Sequence, residues 1–328
     1  GAFGQPAKII ILSRDEAKQH EMRMSFRHLN AATEEIIYRD FEQVLEFRLG
    51  DVRDFQTIAS ALRGVDIVFN AAALKQVPTC EYFPYDAIRT NVHGAENIVR
   101  AIEHFELPVE TVVGISTDKA CKPINVMGMS KAVQERIFVQ GNMRCAGTRF
   151  VCVRYGNVLA SRGSVIPLFH DQIRAGGPVT ITTREMTRFL LSLDQAVATI
   201  MDAYQSGKRG EIYVPRARSS RIENVAKALI GNRNIQIVEM GIRPGEKIHE
   251  ILVAEDEVYR TELRGGYYVV KPIIPEIRTE PTDGSGLDGE FSSRDEVLGL
   301  ESTRVLLAEN ALLYEDFEGT HRFGELLR

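Results

Sequence analysis

Ser116-Thr-Asp-Lys-Ala-Cys-Lys-Pro-Ile-Asn-Val-Met-Gly-Met-Ser-Lys131 is the stretch on which the reading of this chain turns. The apolar run Val112-Val113-Gly114-Ile115 precedes it, and helical spacing through Val133 and Ile137 follows. Strand, polar loop and helix in that order put the loop at the carboxyl end of a parallel strand, where a doubly wound α/β fold keeps its site. The loop carries two hydroxyls (Ser116, Thr117), a carboxylate (Asp118) and an amine (Lys119). A second amine, Lys131, lies one turn into the helix. Donors, an acid and a tunable lysine in so few residues suit proton transfer beside a bound cofactor. Ser, Thr and Asp also cap helices, which accounts for one of these residues but not for the group.

The same alternation extends on both sides. Ile9-Ile10-Ile11-Leu12 has the continuous apolar character of a buried parallel strand and ends in Ser13-Arg14-Asp15-Glu16, with Lys18 beyond. Val44 to Leu49 leads into Gly50-Asp51-Val52-Arg53-Asp54, and Val65 to Phe69 leads into Asn70-Ala71-Ala72-Ala73-Leu74-Lys75. Val92, Ala95, Ile98, Val99, Ile102 and Phe105 fall on one helical face, and Phe150 to Tyr155 closes the series as another strand. The pattern predicts an α/β fold, a Rossmann-type doubly wound parallel sheet with helices on both faces. We expect this domain to span residues 1–155, with segments near 185–205 returning to it. Residues 156–328 are then mainly a smaller substrate-binding region with a C-terminal tail. In that half, Gly156-Asn157-Val158 and Gly163 to Pro167 look like loop and turn. Ala196 to Tyr204 and Ile222 to Ile230 look helical, Gly241 to Lys247 is a polar turn, and Pro281 to Gly289 has loop composition.

Composition narrows the function. The 328 residues can bury a substantial core, with 44% hydrophobic and 26% charged residues. The formal net charge of −5 and the lack of a long basic run argue against nucleic acid as a partner. Cys80, Cys121, Cys145 and Cys152 show no CxxC spacing, so neither a zinc site nor a disulfide framework is expected, and a reducing cytoplasm is the expected compartment. No apolar stretch approaches the roughly 18 residues of a membrane span.

On these motifs the chain resembles the extended short-chain dehydrogenase/reductases, and among them the UDP-N-acetylglucosamine 4,6-dehydratases of surface-polysaccharide synthesis. The resemblance runs from Gly1 to about Leu313. It is carried by Ser13-Arg-Asp-Glu with Lys18, Ala71-Ala-Ala-Leu-Lys-Gln-Val-Pro78, Ser116-Thr-Asp-Lys-Ala, Met127-Gly-Met-Ser-Lys131, Arg154-Tyr-Gly-Asn157, Met186-Thr-Arg188 and Arg243-Pro-Gly-Glu-Lys247. Two departures stand out. Of the family's opening strand, glycine loop and helix, only Gly1-Ala-Phe-Gly4 is present, and Gln5-Pro6 runs almost directly into the next strand. That helix would bring its N-terminus to a pyrophosphate, so we expect residues to be missing between Gln5 and Pro6. The superfamily's Tyr-x-x-x-Lys stands here as Met127-x-x-x-Lys131, and methionine cannot exchange a proton. One branch of these dehydratases has the same methionine.

The resemblance implies NADP as cofactor. Gly1 and Gly4 would approach the pyrophosphate, Ser13, Arg14 and Lys18 would hold the ribose phosphate, and Asp51 and Val52 would flank the adenine. Ala71, Ala72 and Ala73 would let the backbone pass close to the cofactor. Lys75 would reach the cofactor or substrate, and Lys131 would hold the nicotinamide ribose. Lys119 would be the base at sugar C5, partly neutral through burial or nearby cations such as Lys131. Asp118 would be the acid at the C6 oxygen, and Thr117 would take over part of the tyrosine's work at the C4 oxygen. Asn157 with Val165, Ile166, Pro167 and Leu168 would line the sugar and uracil. Arg188 and Arg243 would meet the diphosphate, where a guanidinium fork suits phosphate oxygens, and Glu246 a nucleoside hydroxyl. Cys121 is expected to be a packing residue. The expected substrate is a UDP-N-acetylhexosamine, and the expected assembly is a homo-oligomer, a hexamer or dimer. A UDP-hexosamine epimerase of the same fold and a non-catalytic NADP-binding sensor are the rival readings.

Overall fold

Alternate residues of the central strands face opposite ways, and both faces are covered. In the computed structural model, which describes residues 6–32, 44–161, 163–278 and 286–314, β4 (Thr111–Thr117) and β5 (Arg149–Tyr155) lie parallel, Val112 opposite Phe150 and Val113 opposite Val151. Val112, Phe150 and Cys152 point to one side, where Ile98, Val99 and Ile102 of the helix Gly94–His104 and Phe138 of the helix Val126–Arg144 complete the core. Val113, Val151 and Val153 point to the other, against Ala203, Ile200 and Tyr204 of the helix Leu193–Ser206. Period-two alternation, apolar on both faces, makes this a buried parallel sheet.

The strands, in chain order, are β1 (Ile9–Ser13), β2 (Leu45–Leu49), β3 (Ile67–Asn70), β4, β5, β6 (Asn157–Val158), β7 (Val179–Ile181), β8 (Thr187–Leu191), β9 (Ile212–Pro215), β10 (Ser219–Arg221), β11 (Ile237–Glu239), β12 (Ile251–Val253), β13 (Thr261–Arg264), β14 (Tyr267–Val270), β15 (Phe291–Ser292) and β16 (Val297–Leu298). The largest sheet has the order β13-β14-β9-β5-β4-β3, and β3, β4, β5 and β9 run parallel. β1 and β2 pair in parallel with each other and belong to no larger sheet among the described residues. Leu12 of β1 packs against the main core, as do Val52 and Phe55 in the segment that follows β2. The expected α/β architecture is therefore present, with its first two strands forming a separate ribbon. Gly1, Gly4 and the Gln5–Pro6 connection lie outside the described residues, as does part of the expected loop Pro281–Gly289.

The C-terminal half is more ordered than its sequence suggests. Gly163 to Pro167, expected as loop and turn, instead leads into the helix Val165–Arg174. Proline is tolerated there because first-turn N–H groups have no intrahelical acceptor. Asn157-Val158 forms a short strand beside β8 in the sheet β16-β10-β8-β6. Of the 185–205 region, the helix Leu193–Ser206 covers the large sheet, whereas β8 belongs to the smaller one. The large sheet also takes β9, β14 and β13 from beyond Tyr155. A second apolar cluster joins the helix Val165–Arg174 to the helices Ile222–Ile230 and Leu300–Glu309 through Phe169, Leu229 and Leu307.

These parts meet at Arg154. Its guanidinium, buried at the end of β5, donates to Glu135 at 2.7 and 3.0 Å and to Glu257 at 2.6 and 3.1 Å. Glu257 also accepts from Arg260 at 2.9 Å. Burial works against charge on Glu257, but Arg154 and Arg260 outweigh it and hold its pKa down at about 2. Removing one partner strands buried charge. Arg154→Met should cost about 3–5 kcal/mol in denaturant unfolding. Glu257's folded pKa lies below its unfolded value of about 4.3, so the stability it contributes is complete above that value and is lost as pH falls towards 2. An acid titration of the melting temperature should show this loss in the wild type and lack it in Glu257→Gln.

Candidate active site

The carboxyl ends of β4 and β5 converge on one cluster. Asp118 opens a single 3-10 turn, Asp118–Ala120, just past β4, and its side chain is fully buried. Thr117 Oγ1 donates to Asp118 Oδ1 at 2.8 Å, and Lys119 Nζ donates to the same oxygen at 3.1 Å. Lys119 Nζ also lies 3.2 Å from Glu250 Oε1. Glu250, 2% exposed, stands 3.9 Å from Arg188 Nε and 4.0 Å from Lys247 Nζ. Asp118 Oδ2 and Glu250 Oε2 are buried without a hydrogen-bond partner, and so is Asn157 Oδ1, two residues past the end of β5. Three buried acceptor oxygens without a protein donor are unfavourable unless something else engages them.

Two glycines make room for this cluster. A Cβ on Gly128, in the first turn of the helix Val126–Arg144, would lie 2.1 Å from the carbonyl oxygen of Lys119. A Cβ on Gly156 would lie 2.5 Å from Phe189 Cβ and 3.3 Å from Asp118 Oδ2. The loop and the helix thus touch backbone to backbone. Asn125 caps that helix by accepting from the Gly128 N–H at 2.7 Å, and its amide donates to Gly245 O at 2.8 Å. Lys247 Nζ donates to Cys121 O at 2.7 Å. The polar turn Gly241–Lys247 is in this way docked on the loop that follows β4.

The two lysines differ in electrostatics. Burial works against charge on Lys119, but Asp118 and Glu250 outweigh it and raise its pKa above the ordinary lysine value. Lys119 is expected from the sequence to be partly neutral; in this arrangement Asp118 and Glu250 outweigh both burial and the nearby Arg188 and favour its ammonium form. Lys131 is 5% exposed and donates to Ile115 O and Gln134 Oε1, both at 2.6 Å. Burial lowers its pKa to about 8, against weaker opposition from Cys152 and Glu135.

At the far end, β1 finishes at Ser13, whose Oγ accepts from the Asp15 N–H at 3.1 Å. Lys18 pairs with Asp15 at 3.8 Å, and Arg14 lies 3.8 Å from Asp51. Asp51 receives both the N–H and Nε of Arg53 at 2.9 Å. Burial opposes its charge, yet Arg53 and Arg14 hold its pKa below the carboxylate norm. Val52 O accepts from Asn97 at 2.8 Å.

The polysaccharide biosynthesis protein family model matches residues 2–272. A UDP-glucose 4-epimerase of Rickettsia typhi is 47% identical over 266 residues, 80% of this chain and 73% of that protein. The chain belongs to the polysaccharide biosynthesis protein family. Among solved structures, Pen from Bacillus thuringiensis matches with a TM-score of 0.83 and 29% identity, covering 94% of this chain and 91% of that one. The dTDP-glucose 4,6-dehydratase DesIV of Streptomyces venezuelae, with NAD and DAU bound, matches with a TM-score of 0.64 and 18% identity over 99% of this chain and 92% of its own. The fold is that of the extended short-chain dehydrogenase/reductases.

Within this family member, the expected site residues fall into groups. Thr117, Asp118, Lys119 and Arg188 come together. Met127 is buried with Cys80 and Ala87 in an apolar pocket of the fold. Arg188 Nη1 donates to Thr187 O and Ile248 O, which sets the guanidinium beside Glu250. Arg243 and Lys75 are exposed, Ala71 and Ala73 exposed and Ala72 half-buried along the chain leaving β3. Glu246 accepts from Thr182 Oγ1 at 3.3 Å. Ile166 lies in the second apolar cluster with Val165 against it, Pro167 is buried, and Leu168 is 43% exposed. Cys121 is a buried thiol whose pKa burial pushes up to about 12, in keeping with a packing role. Sequence reasoning misses Glu250 and Arg53. The spacing of Arg53, two residues after Asp51, could have revealed it; Glu250 comes after a run that reads only as a turn. Gly128→Ala should cost about 1–3 kcal/mol in thermal unfolding, because the added methyl meets rigid backbone, and should lower turnover more than substrate affinity.

Proposed function

We propose that this protein is an NADP-dependent UDP-N-acetylglucosamine 4,6-dehydratase of nucleotide-sugar or surface-glycan biosynthesis, working in the cytoplasm as a homo-oligomer, a dimer or hexamer. One observation carries the reading: a buried carboxylate and an amine 3.1 Å apart at the carboxyl end of β4, on a chain whose tyrosine position holds the buried Met127. A 4,6-elimination needs an acid and a base side by side, whereas epimerisation at C4 makes its demand on one group, normally that tyrosine. The four cysteines are buried thiols, in keeping with a reducing compartment, and among the described residues no helix is long and apolar enough to cross a membrane.

The residues at the end of β1 and β2 suit a dinucleotide. Arg14 and Lys18 are cations beside the Ser13 hydroxyl, a donor set matched to a ribose phosphate. Arg53, paired with Asp51 at 2.6 Å, adds a third cation. A dinucleotide held there would supply the hydride acceptor for sugar C4 and the hydride donor for C6. The rest falls to side chains. Thr117, which donates to Asp118 at 2.8 Å, would hydrogen-bond the C4 oxygen once substrate competes for its proton. A proton passed from Lys119 Nζ to Asp118 Oδ1 across 3.1 Å leaves an amine for the C5 hydrogen and a carboxylic acid for the departing C6 hydroxyl. Lys131, with a pKa of about 8 and anchored on Ile115 O, is the amine expected at the nicotinamide ribose. Asn157 and the exposed Leu168 would meet the sugar and uracil, and Arg243 the diphosphate.

The epimerase reading has the curated relatives in its favour: Rickettsia proteins 47%, 46% and 45% identical to this chain are each named UDP-glucose 4-epimerase. Incubation with UDP-N-acetylglucosamine and NADP separates the two. Mass spectrometry should find a product lighter by one water, carrying solvent deuterium at C5 when the reaction runs in heavy water; an isomer of equal mass would establish the epimerase instead. Asp118→Asn and Lys119→Ala should each lower that water loss by at least about 100-fold, the lower end of general acid–base contributions. Arg14→Ala should weaken NADP about 10- to 100-fold while leaving NAD nearly unchanged, the loss of one charge-assisted contact, as read by fluorescence titration.

A further inference from the structure

Glu250 has no task in the elimination chemistry proposed for Asp118 and Lys119, yet it is one of two carboxylates on that lysine. Its backbone is clamped from both directions. Its N–H donates to Ser293 Oγ at 2.9 Å, and its carbonyl accepts from the Ser293 N–H at 2.8 Å. The side chain of a residue so fixed has little freedom to leave, and it is 2% exposed with Oε2 lacking any hydrogen-bond partner. We propose that Glu250 is a positioning residue for Lys119: its carboxylate holds Nζ in line with Asp118 and thereby sets the pH at which Lys119 can accept a proton.

The surrounding charges support this reading. Lys119 sits between Asp118 at 3.1 Å and Glu250 at 3.2 Å. From β8 comes Arg188, 3.9 Å from Glu250, and from the polar turn comes Lys247 at 4.0 Å. His249 is turned away to Thr187 Oγ1 at 2.8 Å. The helix Val126–Arg144 contributes Lys131 and Glu135, but Lys131 is held by Ile115 O and Gln134, and Glu135 is taken by Arg154. Glu257 is likewise held by Arg154 and Arg260. Asp118 and Glu250 are therefore the two anions in direct contact with the amine among the described residues. With both charged, the ammonium is favoured; with Glu250 neutral, transfer of its proton to Asp118 becomes easier.

The inference rests on Lys119 acting as the base, but its test does not need turnover. The intact protein, lysines methylated with 13C-formaldehyde, is titrated by NMR, the Lys119 signal being assigned by its loss in Lys119→Arg. In Glu250→Gln the Lys119 midpoint should move down by about one pH unit or more, the usual effect of losing an adjacent opposite charge. Glu250→Asp, which keeps the charge but withdraws it, should move it less in the same direction. The acidic limb of kcat/KM should shift down alongside, whichever product is made. An unchanged Lys119 midpoint in both variants would overturn the proposal. Absence of water loss with a shifted midpoint would instead remove the dehydratase assignment and leave the Glu250–Lys119 coupling standing.

Discussion

Arg154 is held on one side by Glu135 and on the other by Glu257, and all three side chains are buried. A lone buried guanidinium would be prohibitive; two carboxylates aligned with its fork, plus Leu252 O at 2.9 Å, make it tolerable. Because the acids come from the helix Val126–Arg144 and from the 3-10 segment Glu255–Arg260, the requirement ties both to β5. Ser116 donates to Glu135 as well, so the strand that ends in the reactive loop hangs from the same hub. The packing of Gly128 on Lys119 O and of Lys247 on Cys121 O, which seats the loop, is built on that fixed point.

Much of the N-terminal architecture is legible because its signals are local. Continuous apolar runs such as Val112 to Ile115 are short, end in polar residues and alternate with helical spacing, and a parallel sheet covered on both faces is the arrangement that buries them all. Boundaries differ by only a few residues: β4 begins at Thr111 and runs to Thr117. The C-terminal half is less readable. Gly163 to Pro167 looks like loop and turn, yet Pro167 falls within the first turn of the helix Val165–Arg174, where proline is tolerated. Nor does any local pattern show that β9, β14 and β13 extend the sheet begun by β3, β4 and β5.

The site divides along the same line. Thr117, Asp118 and Lys119 are adjacent in sequence, so their meeting is forced by covalent geometry. Glu250 reaches Lys119 through tertiary packing, and nothing in His249-Glu250 taken alone announces an ion pair. The error over the charge state of Lys119 has this origin. Sequence distance makes Lys131 its neighbour, whereas the fold turns Lys131 to Ile115 O and gives Lys119 a second anion. Arg188, expected at a diphosphate, is held by two backbone carbonyls beside that anion.

Lys247 donates to Cys121 O across 126 residues of chain, and Glu250 is fastened to Ser293 across 43. Contacts of such long range close late in folding, after the loop entropy between them has been met. The reaction centre is therefore complete only when the segments that carry Lys247, Glu250 and Ser293 have docked on the loop after β4.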